Sequence, residues 1–294
     1  MRILVIKHGA LGDILLSLPA MAAIRAAHPG ARISLLTTKP YAGLLGASPW
    51  FDHVSIDARP KAWNLPALWR LRRQLRGFDM VYDLQTSGRS TRYFSLAGRP
   101  PWSGIAKGCA FPDADPNRKT THTRERLRGQ LRAAGIMELP APNLSWLLRA
   151  DVSAFQLPEQ FILLVPGAAP HRPEKRWPEE NFARLARALP LPAVIVGGAA
   201  EVALAREIPG LNLAGRTSFF ELAAITARAA LAIGNDTGPM HLAAALGIPS
   251  VVLFSGASDP ALTAPRYPDG GWPVILRAPN LRDLPVAQVL ASLP

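Results

Sequence analysis

Short runs of Val, Ile and Leu alternate along this chain with longer stretches in which apolar residues return every three or four positions. In the first half the runs "RILVI" (2–6), "RISLLT" (32–37), "HVSI" (53–56) and "MVYDL" (80–84) predict strands, with helices over 14–27, 64–76 and 122–134. In the second half "FILLV" (161–165), "AVIVG" (193–197), "LAIG" (231–234) and "SVVLF" (250–254) alternate with helical spacing over 179–189, 199–207, 218–229 and 239–246. Strands that read as unbroken apolar runs are buried on both faces, as in parallel sheets. The pattern therefore predicts an α/β protein with a doubly wound parallel sheet in each half, two Rossmann-like domains facing a central cleft. The stretch 147–161 lacks clear periodicity, carries Pro158 and leads into a fresh buried strand, which places the join near residue 155 and the domains at 1–155 and 156–294. In open α/β sheets ligands sit beyond the carboxyl ends of the strands, so the loops after residues 6, 165, 197 and 234 are where chemistry is expected.

Length agrees with two domains: 294 residues exceed a usual single core. The one cysteine, Cys109, has no partner for an internal disulfide, and a cytoplasmic location is the default. The apolar N-terminus is interrupted by Lys7, His8 and Asp13 before a signal-peptide core is complete, and no apolar run approaches the ~18 residues of a membrane span. Charge changes the picture more. Of the formal net +12, residues 59–132 carry +11, from 16 Lys or Arg against five acids. Such a field is either a solvated Arg-rich face or an attractor of polyanions: nucleic acid, an anionic membrane surface or a phosphorylated substrate. The segment has no recognisable nucleic-acid reading motif, and nucleic acid is not the expected partner.

Three loops carry candidate chemistry. In "KHGALGDILLSLP" (7–19), Gly9 and Gly12 allow positive φ or close backbone approach, and Asp13 stands just ahead of Ile14, Leu15 and Leu18. Asp13 there is either an N-cap or an exposed catalytic carboxylate, and Pro19 predicts a kink in the helix that follows. The glycines are spaced G-x-x-G, which is neither a dinucleotide fingerprint nor a P-loop. In "PGAAPHRPEKRWPEENF", Gly167 suits a tight turn, and Lys175 stands close ahead of a helix beginning at Pro178, where it is either a solvated loop lysine or a point charge on phosphate oxygens. In "IGNDTGPMHLAAALGIPSVVLF" the order is strand, turn, helix, strand, with Asp236 or Thr237 as cap, Gly238 at the turn and Pro239 in the first helical turn. Free amides at that helix start make an anion site for a diphosphate, and His241 lies one turn in, either structural or on the phosphate. Glu201, after "VGGAA", is either a helix N-terminal acid or a ribose contact. The six histidines form no i, i+4 pair, and no metal site is expected.

Taken together, "KHGALGDILLSLPA", "EKRWPEENF" and "NDTGPMHLAAALGIPSVVLFSGASDP" resemble the lipopolysaccharide heptosyltransferases, glycosyltransferase family 9, over almost the whole chain. The resemblance implies a GT-B fold, a nucleotide-sugar donor, usually ADP-heptose, on the C-terminal domain and the acceptor on the N-terminal one. It implies inverting transfer without a cofactor or a catalytic metal, to an anionic glycolipid reached at the inner face of a membrane through transient contact. By residue, Asp13 matches the general base. Lys175 matches the phosphate-binding lysine of K-x-W-P, and Asp236, Thr237, Gly238 and His241 match the donor element D-T-G-x-x-H. Glu201 matches a ribose contact, and Gly167 with Ala168 offers small residues where some members carry hydroxyls for the phosphates. Gly12, Arg126 and Arg128, the arginines within "HTRERLR" (122–128), fall on the acceptor side. The alternatives are transfer of another nucleotide-linked sugar to O-antigen or another glycan, a basic nucleic-acid-binding protein, and a catalytically silent nucleotide-sugar sensor.

Overall fold

A computed structural model of the chain describes residues 1–169 and 172–293 and divides them into two compact units, Met1–Pro142 and Asn143–Pro294. The division falls ahead of the join expected near 155. Trp146 and Leu147, in a 3-10 turn at Ser145–Leu148, are buried against the helix at Phe219–Thr226, which attaches that stretch to the second unit.

The first unit runs β1 (Arg2–Ile6), α1 (Leu11–Ala27), β2 (Arg32–Thr37), α2 (Lys39–Gly46), β3 (His53–Ile56), α3 (Leu65–Leu75), β4 (Met80–Asp83), α4 (Gly88–Ala97), β5 (Trp102–Gly104), β6 (Phe111–Pro112) and α5 (Thr123–Ala133). Its strands are parallel and lie in the order β3-β2-β1-β4-β5-β6. The second unit runs β7 (Ile162–Val165), α6 (Glu179–Ala188), β8 (Ala193–Ile195), α7 (Val202–Ala205), β9 (Leu211–Asn212), α8 (Phe219–Thr226), β10 (Leu231–Asn235), α9 (Gly238–Ala245), β11 (Ser250–Phe254), α10 (Pro260–Thr263), β12 (Val274–Arg277) and α11 (Val286–Ala291). Its parallel order, β12-β11-β10-β7-β8-β9, is the first unit's order read from the other edge. Both are the 3-2-1-4-5-6 arrangement of dinucleotide-binding sheets, whose order reverses between the first and fourth strands of each unit.

The eight expected strands are present, some a residue or two shorter or longer than their apolar runs. In β7, Ile162 and Leu164 enter one core cluster while Leu163 and Val165 enter another, so the strand is buried on both faces. Trp177 is fully buried on the first of these faces, its ring edge-on to Phe182 at 4.9 Å between centroids and its Nε1 donating to Leu284 O at 2.9 Å. The helical stretch 199–207 is instead a 3-10 turn (Ala199–Glu201) followed by the single turn of α7. α1 continues through Pro19 to Ala27. Among the described residues no helix is long and apolar enough to cross a membrane.

Truncating Trp177 removes both a large side chain and the partner of a buried carbonyl. Trp177→Ala is expected to destabilise the second unit by about 3–5 kcal/mol, read as an early shift in its urea unfolding midpoint.

Candidate functional site

The strand-order reversals place two groups of loops where ligands bind in such sheets. In the first unit these are the loops after β1 and β4. Gly9 has φ +123° and lies against Tyr41, where a Cβ would come within 2.3 Å of the ring, so the loop closes only with glycine. Gly12, by contrast, is the second residue of α1 and helical. The N-cap of α1 is Ala10, and Asp13 sits inside the first turn, not at the cap. The helix starts three residues earlier than the capping pattern suggested because Leu11, Gly12 and Asp13 itself already adopt helical geometry. No side-chain cap bond forms, which leaves the half-buried Asp13 carboxylate uncommitted to the helix end.

Asp13 lies in the field of cations. Lys7 is buried, donates to Leu84 O at 3.3 Å, and has its pKa lowered by burial, with Asp13 and Asp83 acting in the opposite sense. α5 packs on α1, and Arg126, half-buried on α5, also interacts electrostatically with Asp13. Burial lowers the Arg126 pKa. Its Nη2 donates to Thr123 Oγ1 at 2.7 Å. Arg128, three residues along from Glu125, is held in an ion pair with it on the same helix. Beneath Lys7, burial pushes the fully enclosed Asp83 up to about 6, although the amides of Gln85 and Thr86 bond its Oδ1.

A second buried network joins the same loop to β3. Asp57 Oδ2 accepts from Tyr93 at 2.6 Å and lies 3.0 Å from His8 Nε2. That His8 contact is close in distance but too poorly aligned to count as a hydrogen bond. Asp57 Oδ1 accepts from the amide of Arg59, which holds a left-handed φ of 48°. Lys7, His8, Asp57, Asp83 and Tyr93 were not picked out from sequence; a lysine and a histidine directly after a buried strand were the only available signal.

In the second unit Lys175 ends a 3-10 turn at Pro173–Lys175, and its Nζ meets Asp236 Oδ2 at 2.6 Å. Ser258 Oγ donates to the same oxygen at 2.9 Å, and His241 Nε2 lies 3.7 Å from Oδ1. Burial alone would raise the Asp236 pKa, but His241 and Lys175 outweigh it and hold the carboxyl at about 2. His241 is buried and its Nδ1 has no hydrogen-bond partner among the described residues. The fully buried Asn235 ties these loops together: Oδ1 accepts from the Trp177 amide at 3.0 Å, and Nδ2 donates to Pro166 O at 2.8 Å and Gly167 O at 3.2 Å.

Several expectations are corrected here. Neither Asp236 nor Thr237 caps α9 through its side chain: Asp236 is taken by Lys175, and Thr237, the N-cap by backbone, turns Oγ1 onto Asn235 O. Gly238 is the first helical residue. Pro239 has no N–H and the Met240 amide bonds Thr237 O, so the amides at the helix start reduce to those of Thr237 and Gly238. Gly167 has no positive φ; the Glu201 side chain lies over it, where a Cβ would meet Cγ at 2.7 Å. Glu201 caps its own turn, Oε2 accepting from the Gly198 amide at 2.8 Å, with Arg176 4.0 Å from Oε1. Ala168 is buried, and its carbonyl accepts from Arg176. α6 begins at Glu179 with Pro178 as N-cap. His171 lies outside the described residues. In the one D-x-D triplet of the chain, Asp113-Ala114-Asp115, Asp113 is paired with Arg118 and Asp115 accepts from the Asn117 amide. Among the described residues no group of three His, Cys, Asp or Glu is placed to hold a metal ion.

Each unit is a doubly wound parallel sheet with candidate residues at its strand-order reversal, the place where such sheets bind ligands. Residues 68–270 match the family described as glycosyltransferase family 9 (heptosyltransferase), more than half of the chain, and the chain belongs to that family of glycosyltransferases. Lipooligosaccharide heptosyltransferase 2 of Haemophilus influenzae is 25% identical over 90% of this chain and 86% of its own. Lipopolysaccharide heptosyltransferase 1 of Pseudomonas aeruginosa is 27% identical over 90% and 81%. Among solved structures, E. coli ADP-heptose lps heptosyltransferase II superposes with a TM-score of 0.76 at 25% identity over 99% of this chain and 97% of its own. E. coli heptosyltransferase WaaC with ADP-2-deoxy-2-fluoro heptose gives 0.77 at 22% identity, over 99% and 98%.

Because the fold lowers the Asp236 pKa from 3.8 to about 2, the ionised carboxylate stabilises the protein above about pH 4, and that contribution is lost as the pH falls from there through about 2. Asp236→Asn is expected to cost about 2 kcal/mol near neutral pH, with the gap to the parent closing over that acidic window in guanidinium unfolding.

Proposed function

We propose that this chain is an inverting glycosyltransferase that moves heptose from ADP-heptose to a lipopolysaccharide core acceptor without a catalytic metal, in the cytoplasm at the inner face of the membrane. The observation that carries the reading is the 2.6 Å contact between Lys175 and Asp236, which brings the K-x-W-P and D-T-G-x-x-H elements to one point at the β7/β10 reversal. The relatives support the donor and the acceptor class: two of the solved structures are named for ADP-heptose or its fluorinated analogue, and the Pseudomonas aeruginosa relative for lipopolysaccharide.

In this reading the second unit is the donor domain. Lys175 and the Thr237 and Gly238 amides face the diphosphate, and His241 offers its unpartnered Nδ1 to the same anion. Asp236 fixes Lys175 before the donor arrives. Glu201, with its Oε1 free of the turn it caps, faces the ribose, and Gly167 and Ala168 let the backbone approach the phosphates. The first unit is the acceptor domain, in which Gly12 permits close approach and Arg126 and Arg128 attract an acidic sugar or phosphate.

Asp13 takes the proton of the acceptor hydroxyl as its oxygen bonds the anomeric carbon from the face opposite the diphosphate. The anomeric carbon–oxygen bond to the diphosphate breaks, and its electron pair goes to the departing ADP, whose charge Lys175 and the helix-start amides stabilise.

Asp13→Asn is expected to lower kcat by about 10²–10⁴-fold with the fold intact, measured by mass spectrometry of the glycosylated acceptor; full activity would remove Asp13 from the base role. Lys175→Ala is expected to weaken ADP-heptose binding by about tenfold or more in calorimetry, and unchanged affinity would take it off the phosphates.

A further inference from the structure

We propose that the α3 side of the first unit docks on an anionic phospholipid bilayer. The inference rests on the transferase reading only in that a membrane-borne acceptor gives docking a purpose. α3 buries Leu71 and Leu75 against its own core and leaves the opposite side bare: Leu65 is 71% exposed and Trp69 58%, and Trp63, just ahead of the helix, is 76% exposed. Large apolar side chains at such exposure on one helix and its lead-in are a patch rather than scattered surface residues. Leu65, Trp69, Arg72 and Arg73 follow helical spacing, so they share one side of α3.

The charge around the patch has one sign. Residues 58–78 contain Arg59, Lys61, Arg70, Arg72, Arg73 and Arg76 and no acidic residue. Lys61 Nζ sits 5.1 Å from the Trp63 ring centroid and the Arg73 guanidinium 4.8 Å from that of Trp69, so each exposed ring is paired with a cation. Arg73 also continues the surface into a hollow of about 550 Å³, which Arg2, Arg32, Arg70 and Arg76 line with it at the amino ends of β1 and β2. Five guanidinium groups around one open hollow, with no carboxylate among its lining residues, attract multiple phosphates. Beside it, Asp79 is engaged by the Arg2 amide. Trp at the headgroup level with Arg against anionic phosphates is the combination that holds a surface helix on a bilayer.

The hollow is remote from the proposed chemistry. It opens at the amino ends of β1 and β2, whereas Asp13 follows the carboxyl end of β1. α3 starts from the loop after the carboxyl end of β3, which carries Trp63, and runs back toward the amino ends of the sheet where the hollow lies.

The test uses the full chain and vesicles that contain no glycolipid. Sedimentation with phosphatidylcholine vesicles is compared with vesicles holding roughly one third phosphatidylglycerol, at about 0.1 M salt, where surface charge still acts over a Debye length. Strong binding is expected only with phosphatidylglycerol. Trp63→Ala with Trp69→Ala, and separately Arg70→Glu with Arg73→Glu, should each reduce it at least about tenfold, since one Arg near such a surface contributes about fivefold. The thermal midpoint and transfer to a water-soluble acceptor fragment should stay unchanged in both variants, which separates loss of docking from failure of the transferase reading. Absence of binding to phosphatidylglycerol vesicles, equal binding of parent and variants, or binding that appears only when acceptor glycolipid is included would overturn the proposal. Displacement of the protein from the vesicles by a short single-stranded RNA through the same Trp and Arg residues, with tighter affinity than for lipid, would also overturn it.

Discussion

The molecule depends on the reversal of strand order inside each parallel sheet, at β1/β4 and at β7/β10. Where neighbouring parallel strands send their following segments to opposite faces, the loops part and expose backbone at the carboxyl ends. The residues proposed for proton abstraction and for the diphosphate lie on or just past those loops. Asp13 follows β1, Lys175 follows β7, and Asp236 and His241 follow β10. The apolar strands beneath, closed on both faces in the second unit by separate core clusters, make the positions of these loops rigid.

Within the second unit, polar bonds convert that gap into a specific site. Asn235 satisfies the Pro166 and Gly167 carbonyls and the Trp177 amide with one side chain, so the loop after β7 and the end of β10 move as a unit. Asp236 sits in the same low-dielectric surroundings, where an unpaired carboxylate is costly and its pairing with Lys175 correspondingly strong. The histidine that lies near Asp236 through Nε2 keeps Nδ1 without a protein partner. A buried donor or acceptor in that state is well suited to a ligand.

The first unit solves a different problem, holding one carboxylate close to cations without neutralising it in a short ion pair. Lys7 spends its hydrogen bond on Leu84 O, and Arg126 spends one on Thr123, so both act on Asp13 through space. Neither bond can be read from motif spacing. Arg126 reaches Asp13 because α5 crosses α1, and Asp57 enters the network through Tyr93 from α4.

Strands β1, β2, β4, β7, β10 and β11 were legible because burial on both faces demands uninterrupted apolar side chains, and the motif residues were legible because glycine, proline and a carboxylate at a strand-to-helix turn have few other uses. β6 and β9, of two residues each, and the half-exposed edge strand β12 lacked that burial and left too weak a pattern. Residue chemistry alone thus determined the fold class and the strand-to-helix turns that carry the candidate residues, since these follow from local periodicity and backbone geometry. Only the tertiary structure decided partners: that Asp13 is inside its helix rather than capping it, that Lys175 belongs to Asp236 61 residues away, and that Trp69 faces outward. Pairings of that kind arise from how sheets bring distant loops together, and no local stretch of chain encodes the distance between them.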